Sequence, residues 1–259
     1  MKQRIVLAYS GDFETAASIP SLADAHQAEI ITLTLDLGSG RDLEEIRDRA
    51  LAGGAARAHV IDAREEFVRD FVLPSLQAGP ASAEADPTGA ALVRALVGRK
   101  LAEAAAIEQA HGIIDRFRTD ESLWGRQGGS YVLTRAVHDA PDTPAYVEIA
   151  FERGIPVAVN GISMAVTELI ESIAIIAGHH GVGRMESTGA CVEAPAAVVL
   201  RAAYAALAAA VPAVVTGSVR LKLCKGALET SDAAALDHPP SPRLRWTSAT
   251  AVNGAVPRP

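Results

Sequence analysis

The sequence predicts an α/β fold built on a parallel β-sheet with helices on both faces. Two observations carry that expectation. From the start of the chain to about residue 72, short β-runs alternate with helical stretches, the rhythm of successive strand–helix crossovers. Of the 259 residues, 49% are apolar and only 4% aromatic, so the core must come from Ala, Val, Leu and Ile. That balance favours helices packed on a sheet over an aromatic-rich sandwich. A chain of this length can bury a sizeable core as one large unit or two smaller ones.

Arg4–Tyr9 reads as the first strand, ending in Ser10-Gly11. A helix follows over about Thr15–His26, with Pro20 near its first turn. Glu29–Leu35 is the second strand, carrying Ile30, Ile31 and Leu33. Asp42 caps a helix over Leu43–Ala52, and Gly53-Gly54 ends it. Ala58–Ile61 is the third strand, followed by a helix across Arg64–Val72. Residues 79–90 form a turn-rich connection, Gly89–Gln109 a long helix rich in Ala and Leu, and Ile114–Pro144 has little periodicity. The pattern changes at Tyr146. Tyr146–Phe151 and Ile155–Val159 are short strands about Arg153-Gly154, and Asn160-Gly161 makes a tight turn. Helices are expected at Met164–Ala177 and Pro195–Ala210, and a long strand at Val214–Lys225. The boundary falls near residue 115, giving units over 1–115 and 116–226. Residues 227–259, rich in Pro, Ala and Ser, are expected to be disordered.

With 24 Lys and Arg against 31 Asp and Glu, the formal net charge is −7 and no basic run occurs. Binding to a nucleic-acid backbone therefore has little support. Cys191 and Cys224 lie far apart without metal-ligand spacing, as expected in a reducing compartment. Met1–Arg4 leads straight into a strand, so no secretory signal is expected. Ala194–Val215 is long and apolar, but Arg201, Pro212 and its alanine content favour a buried or half-buried helix over a membrane span. These features predict a soluble cytoplasmic protein.

The candidate functional segment is the loop after the first strand, Ala8-Tyr9-Ser10-Gly11-Asp12-Phe13-Glu14-Thr15-Ala16. A strand ending in Ser-Gly before a helix aims backbone N–H groups and the positive helix end at whatever lies above, which suits a phosphate. In parallel sheets ligands collect beyond the carboxyl ends of the strands, where this loop sits. It resembles the ATP-pyrophosphatase loop Ser-Gly-Gly-x-Asp-Ser/Thr. Asp12 stands where that loop has a second Gly, and Glu14 where it has Asp. The plainer alternative is an acidic, solvent-facing loop with no ligand.

Further segments extend the resemblance. They are Leu35-Asp36-Leu37-Gly38 with Asp42-Leu43-Glu44-Glu45-Ile46-Arg47, then Asp62-Ala63-Arg64-Glu65-Glu66-Phe67-Val68 and Gly89-Ala90-Ala91-Leu92-Val93-Arg94. After them come Asp120-Glu121-Ser122-Leu123-Trp124-Gly125-Arg126, Tyr146-Val147-Glu148-Ile149, Gly181-Val182-Gly183-Arg184, Glu193-Ala194-Pro195 and Val215-Thr216-Gly217-Ser218-Val219-Arg220-Leu221-Lys222-Leu223. In this order the set resembles argininosuccinate synthase. The resemblance implies a nucleotide-binding domain of the adenine-nucleotide α-hydrolase type and a smaller α+β synthetase-like domain. It implies a carbon–nitrogen ligase of arginine biosynthesis: ATP adenylates the ureido oxygen of citrulline, and the aspartate amine then displaces AMP. Positioning and charge neutralisation would do most of that work, with no covalent nucleophile. Carried over residue by residue, Ala8 through Ala16 and Leu35 would bind ATP, with Asp12 or Glu14 holding Mg²⁺. Of the chain's own cations, Arg94 and Arg126 are the ones most readily placed near a substrate anion, Arg94 against a carboxylate, with surface ion pairs as the equally common alternative.

The chain also departs from the family. Two like unit charges about 4 Å apart repel by roughly 4 kcal/mol at an effective dielectric near 20, so Asp12 opposes phosphate unless a cation intervenes. Leu35 replaces a small residue near the adenine. Ser82, Ala90, Arg118, Gln127 and Val192 stand where the family has hydroxyl side chains. At about 1–3 kcal/mol per unsatisfied buried group, such losses remove useful affinity for citrulline. The family's Gly-rich segment for aspartate and phosphates has no counterpart after Gln109. Its C-terminal oligomerisation helix is replaced by the Pro-rich tail, so a homo-oligomer stays open but a tetramer is not carried over. His179-His180-Gly181 reads as structural, and Trp124 as packing. Two readings result: a ligase that is impaired or redirected, or a non-catalytic nucleotide-binding or scaffold relative.

Overall fold

The computed structural model describes residues 3–79, 88–117, 121–187, 190–211 and 215–234. Strand β1 (Gln3–Ala8) leads into α1 (Phe13–His26), β2 (Ala28–Asp36), α2 (Leu43–Ala52) and β3 (Arg57–Asp62). A helical run follows, α3 (Arg64–Phe67), a π-helical turn (Val68–Val72) and α4 (Leu73–Gln77); then come α5 (Ala90–Ile107) and β4 (Gly112–Asp115). The four strands form a parallel sheet in the order β3-β2-β1-β4. Alternation along the strands sends side chains to both faces. Ile5, Leu7, Tyr9 and Ile30 pack with Ala16 and Ile19 of α1 and Ile46 and Ala50 of α2. Val6, Ala8, Leu33 and Leu35 join Phe67 and the Leu96, Val97 and Leu101 row of α5. The α/β expectation, with helices on both faces, is met.

Strand β4 is a departure, since the sequence reading ran from the long helix into irregular chain. It is four residues long, too short to display a period, and it exists because it pairs beside β1 from Ile5↔Gly112 to Ala8↔Asp115. Likewise Arg64–Val72 is not a simple helix; its hydrogen bonding widens to π geometry and it continues to Gln77.

Beyond residue 120 come β5 (Glu121–Ser122), β6 (Gly125–Gly128), β7 (Ala145–Glu152), β8 (Ile155–Val159), β9 (Ile162–Ser163) and α6 (Val166–His179). The chain continues through β10 (Arg184–Ser187), β11 (Ala190–Glu193), α7 (Pro195–Ala210), β12 (Gly217–Cys224) and β13 (Ala227–Ala234). Two antiparallel sheets result, ordered β10-β11-β6-β5 and β13-β12-β7-β8-β9. The expected turn at Asn160-Gly161 is present, with φ of 49° and 76° between the paired Val159 and Ile162. Helix α7 is buried along Ala196, Ala197, Val199, Leu200, Ala203 and Leu207. Among the described residues no helix is long and apolar enough to cross a membrane.

The disorder expected from residue 227 does not hold for Ala227–Ala234. Lys225-Gly226, with φ of 47° and 79°, is a two-residue hairpin turn, and β13 pairs with β12 from Cys224↔Ala227 to Ser218↔Ala234. Leu228 and Ala233 pack against the core, which offsets the weak strand preference of Glu, Ser, Asp and Ala there. Residues 235–259 lie outside the described residues. One continuous apolar cluster joins Val6 and Leu96 to Ile149, Ile173, Val199 and Leu221, so the parallel sheet and the C-terminal elements share a core.

Candidate functional site

At the carboxyl end of β1 the chain makes the turn on which the site rests. Tyr9 still belongs to the sheet: its N–H donates to Leu33 O at 2.9 Å and its carbonyl accepts from Thr34 Oγ1 at 3.0 Å. Gly11 follows with φ of +88°, and a Cβ there would stand 2.8 Å from Ile46 Cγ1 of α2. Glycine is therefore required by conformation and by close packing. Asp12, extended at φ −77° and ψ 149°, is the N-cap of α1. Its Oδ1 accepts the Thr15 N–H at 2.7 Å, and its Oδ2 accepts the Ser10 hydroxyl at 2.8 Å. The donors that a phosphate would use are thus engaged by the chain's own carboxylate. Burial works to raise the Asp12 pKa, but the hydrogen bonds from Thr15 and Ser10 prevail and hold it below the ordinary carboxylate value.

Two arginines frame this loop, and sequence reasoning missed both. Arg41 donates to Ser10 O and to Ser39 Oγ. Arg49 donates to Gly11 O, pairs with Glu45, and lies 4.1 Å from the centroid of the exposed Phe13 ring. The signal was in the helix register: Arg49 stands one turn beyond Ile46, the residue that packs on Gly11. Beneath them Tyr9 Oη is buried without a hydrogen bond of ordinary geometry, and burial raises its pKa although Arg49 opposes this. Glu14 is exposed, whereas Ala8, Thr15, Ala16 and Leu35 are buried. Leu35 is 1% exposed and belongs to the shared core.

The family model described as "Arginosuccinate synthase N-terminal HUP domain" matches residues 4–116, and "Arginosuccinate synthase C-terminal domain" matches residues 121–212. The chain belongs to the argininosuccinate synthase family. Argininosuccinate synthase of Halalkalibacterium halodurans is 34% identical over 255 residues, covering 71% of this chain and 62% of that protein. The Streptococcus suis protein of the same name is 32% identical, covering 71% and 64%. The chain thus spans less than two thirds of the length of these relatives. Among solved structures, NAD+ synthetase from Burkholderia pseudomallei aligns at 18% identity and a TM-score of 0.28, covering 48% of this chain and 57% of that one, too slight to argue from.

Of the two cations expected near a substrate anion, Arg94 is exposed on the outer side of α5. Arg126 is committed elsewhere: its Nη1 donates to Ser130 O at 2.7 Å and to Glu193 Oε2 at 3.0 Å. Glu193 is 0% exposed and also accepts from the amides of Val132, Leu133 and Thr134 and from Thr134 Oγ1. Ala90 and Gln127 border a cavity of about 20 Å³ with Thr88, Glu121 and Ser122, room for about one water. Trp124 is buried at 1%, as its packing role requires. Ser82 and Arg118 lie outside the described residues. Among the described residues no three His, Cys, Asp or Glu side chains gather to hold a metal ion. A Mg²⁺ at the loop would draw on Asp12 and Glu14 together with oxygens of its ligand.

Proposed function

We propose that the chain is an argininosuccinate synthase-type ATP-dependent carbon–nitrogen ligase whose activity is impaired or redirected. The observation that carries this reading is the convergence of Ser10 Oγ and the Thr15 amide on one carboxylate at the start of α1. This is an N-cap contact, and the donors that cap α1 with a carboxylate are of the kind that hold a phosphate at a helix N-terminus. In the proposed enzyme the ATP phosphates take those donors, with Gly11 allowing close backbone approach. Mg²⁺ would neutralise phosphate charge, held by Asp12 and Glu14. Citrulline and aspartate are the family's substrates, and a cytoplasmic setting fits the free thiols of Cys191 and Cys224.

A second reading, a nucleotide-binding relative without catalysis, is favoured by Ala90 and Gln127, which stand where the family has hydroxyl side chains. One experiment separates the two. The protein is incubated with Mg-ATP and labelled pyrophosphate, with and without citrulline and aspartate, while calorimetry follows ATP binding. Citrulline-dependent exchange supports the ligase. Binding without exchange for any amino-acid pair leaves the second reading, and failure to bind ATP rejects both.

A further inference from the structure

We infer that the outer edge of β4 is a self-complementary surface on which a second copy of this chain pairs, strand to strand, about a two-fold axis at Ile113. β4 stands at one end of the parallel sheet, and among the described residues no strand lies beyond it. Hydrogen bonding decides which of its peptide groups are left over. The Tyr9 N–H donates to Leu33 O, so Ile5, Leu7 and Tyr9 of the first strand face β2, while Arg4, Val6 and Ala8 face β4. The register Ile5↔Gly112 and Leu7↔Ile114 then turns the peptide groups of Gly112 and Ile114 towards β1. Those of Ile113 and Asp115 face outward. In an antiparallel pairing centred on Ile113, that residue exchanges both peptide hydrogen bonds with its own copy. The Asp115 N–H meets the His111 carbonyl of the second copy, while the His111 N–H stays on Arg4 O at 2.7 Å.

The side chains fit the same register. Open sheet edges are ordinarily blunted by Lys, Pro or a bulge. β4 is short, but it reads Gly-Ile-Ile-Asp and its register with β1 is unbroken. Ile114 packs inward with Ile5 and Tyr9, whereas Ile113 on the opposite face is 46% exposed. Pairing about Ile113 covers it with its own copy and sets an exposed His111 against an exposed Asp115 at both ends. Each keeps an atom for that contact. His111 Nδ1 accepts the Arg4 N–H at 3.4 Å, leaving Nε2, and Asp115 Oδ1 accepts the Phe117 N–H at 3.0 Å, leaving Oδ2. A slip of one residue would oppose outward peptide groups to inward ones, and a slip of two would set Ile113 against a carboxylate. The arrangement closes on itself as a dimer in which the two parallel sheets become one. The surface is the same whether or not the loop after β1 binds a nucleotide.

The test is sedimentation velocity of the full chain from micromolar to millimolar concentration. Wild type is run beside Ile113→Lys, Ile113→Asp and an equimolar mixture of the two, with thermal melting to report folding. Wild type is expected to dimerise, each variant at least about tenfold more weakly because like charges meet across the axis, and the mixture at least as well as wild type. Amide exchange reads the same contact without a substitution: Ile113 and Asp115 of wild type should exchange more slowly as concentration rises, and this measurement decides if a variant melts below wild type. A wild type that stays monomeric at millimolar concentration overturns the inference. So does a dimer that neither substitution weakens, or a mixture of folded variants that does not recover it. Ile113 and Asp115 amides protected equally at every concentration also overturn it, by showing the edge covered within a single chain.

Discussion

Replacing Glu193 by alanine removes the acceptor around which the loop after β6 is folded. The carboxylate is fully buried and takes hydrogen bonds from Arg126 Nη1, three consecutive amides of Val132, Leu133 and Thr134, and Thr134 Oγ1. Without it, a guanidinium that is 15% exposed and several amides lose their partner inside the protein. Breaking a buried ion pair from one side costs about 3–5 kcal/mol, which for a chain of this size lowers Tm by about 6–20 °C. Chemical denaturation and thermal melting measure the loss directly. Burial tends to raise the Glu193 pKa, but Thr134, the Val132 amide and Arg126 together hold it below the ordinary carboxylate value. A depressed folded-state pKa stabilises above about pH 4.5, and that contribution disappears as pH falls through the folded value. Wild type should therefore lose Tm on acidification from pH 5 to 3 more steeply than Glu193→Gln. A Glu193→Ala loss below about 1 kcal/mol, or parallel acid curves for wild type and Glu193→Gln, would refute this account of the network.

Gly11→Ala forces an L-residue to φ +88° and sets its Cβ 2.8 Å from Ile46 Cγ1; a loss of about 2–4 kcal/mol in denaturant melts is expected. Adding Ile46→Ala should recover only the contact part, and strict additivity of the two would contradict the described packing. His180, buried with Nδ1 unpartnered, has its pKa lowered by burial, with His179 and Arg135 adding repulsion. Its protonation favours unfolding, so stability is full above about pH 6.5 and declines as pH drops from there towards the folded value. His180→Gln should flatten the Tm–pH slope between pH 7 and 5, and an unchanged slope would count against it.

Much of the fold was legible because its elements carry their own signals. Asp42 before Leu43–Ala52 and Pro195 opening α7 mark helix starts that the structure keeps. Strand β4 had no such signal, since a short parallel strand is made by its neighbour. The Lys225-Gly226 turn was present in the sequence but masked by the polar composition after it. At the loop, the Asp12 charge was readable, yet its hydrogen bonds depend on where the Ser10 and Thr15 donors converge in space. Arg126 does meet a carboxylate, but that carboxylate belongs to Glu193 of its own chain. Pairing across 67 residues leaves no local trace in sequence.

The shared apolar cluster bears on how this lineage can change. Val6 and Leu96 from one matched region and Ile149, Val199 and Leu221 from the other half belong to a single interior. Cutting the chain at residues 117–120 would leave each fragment with an unsealed greasy flank, so neither could be traded as a free-standing cassette. Gain or loss of sequence is tolerated at surface connections, and the interior constrains both halves to vary as one unit.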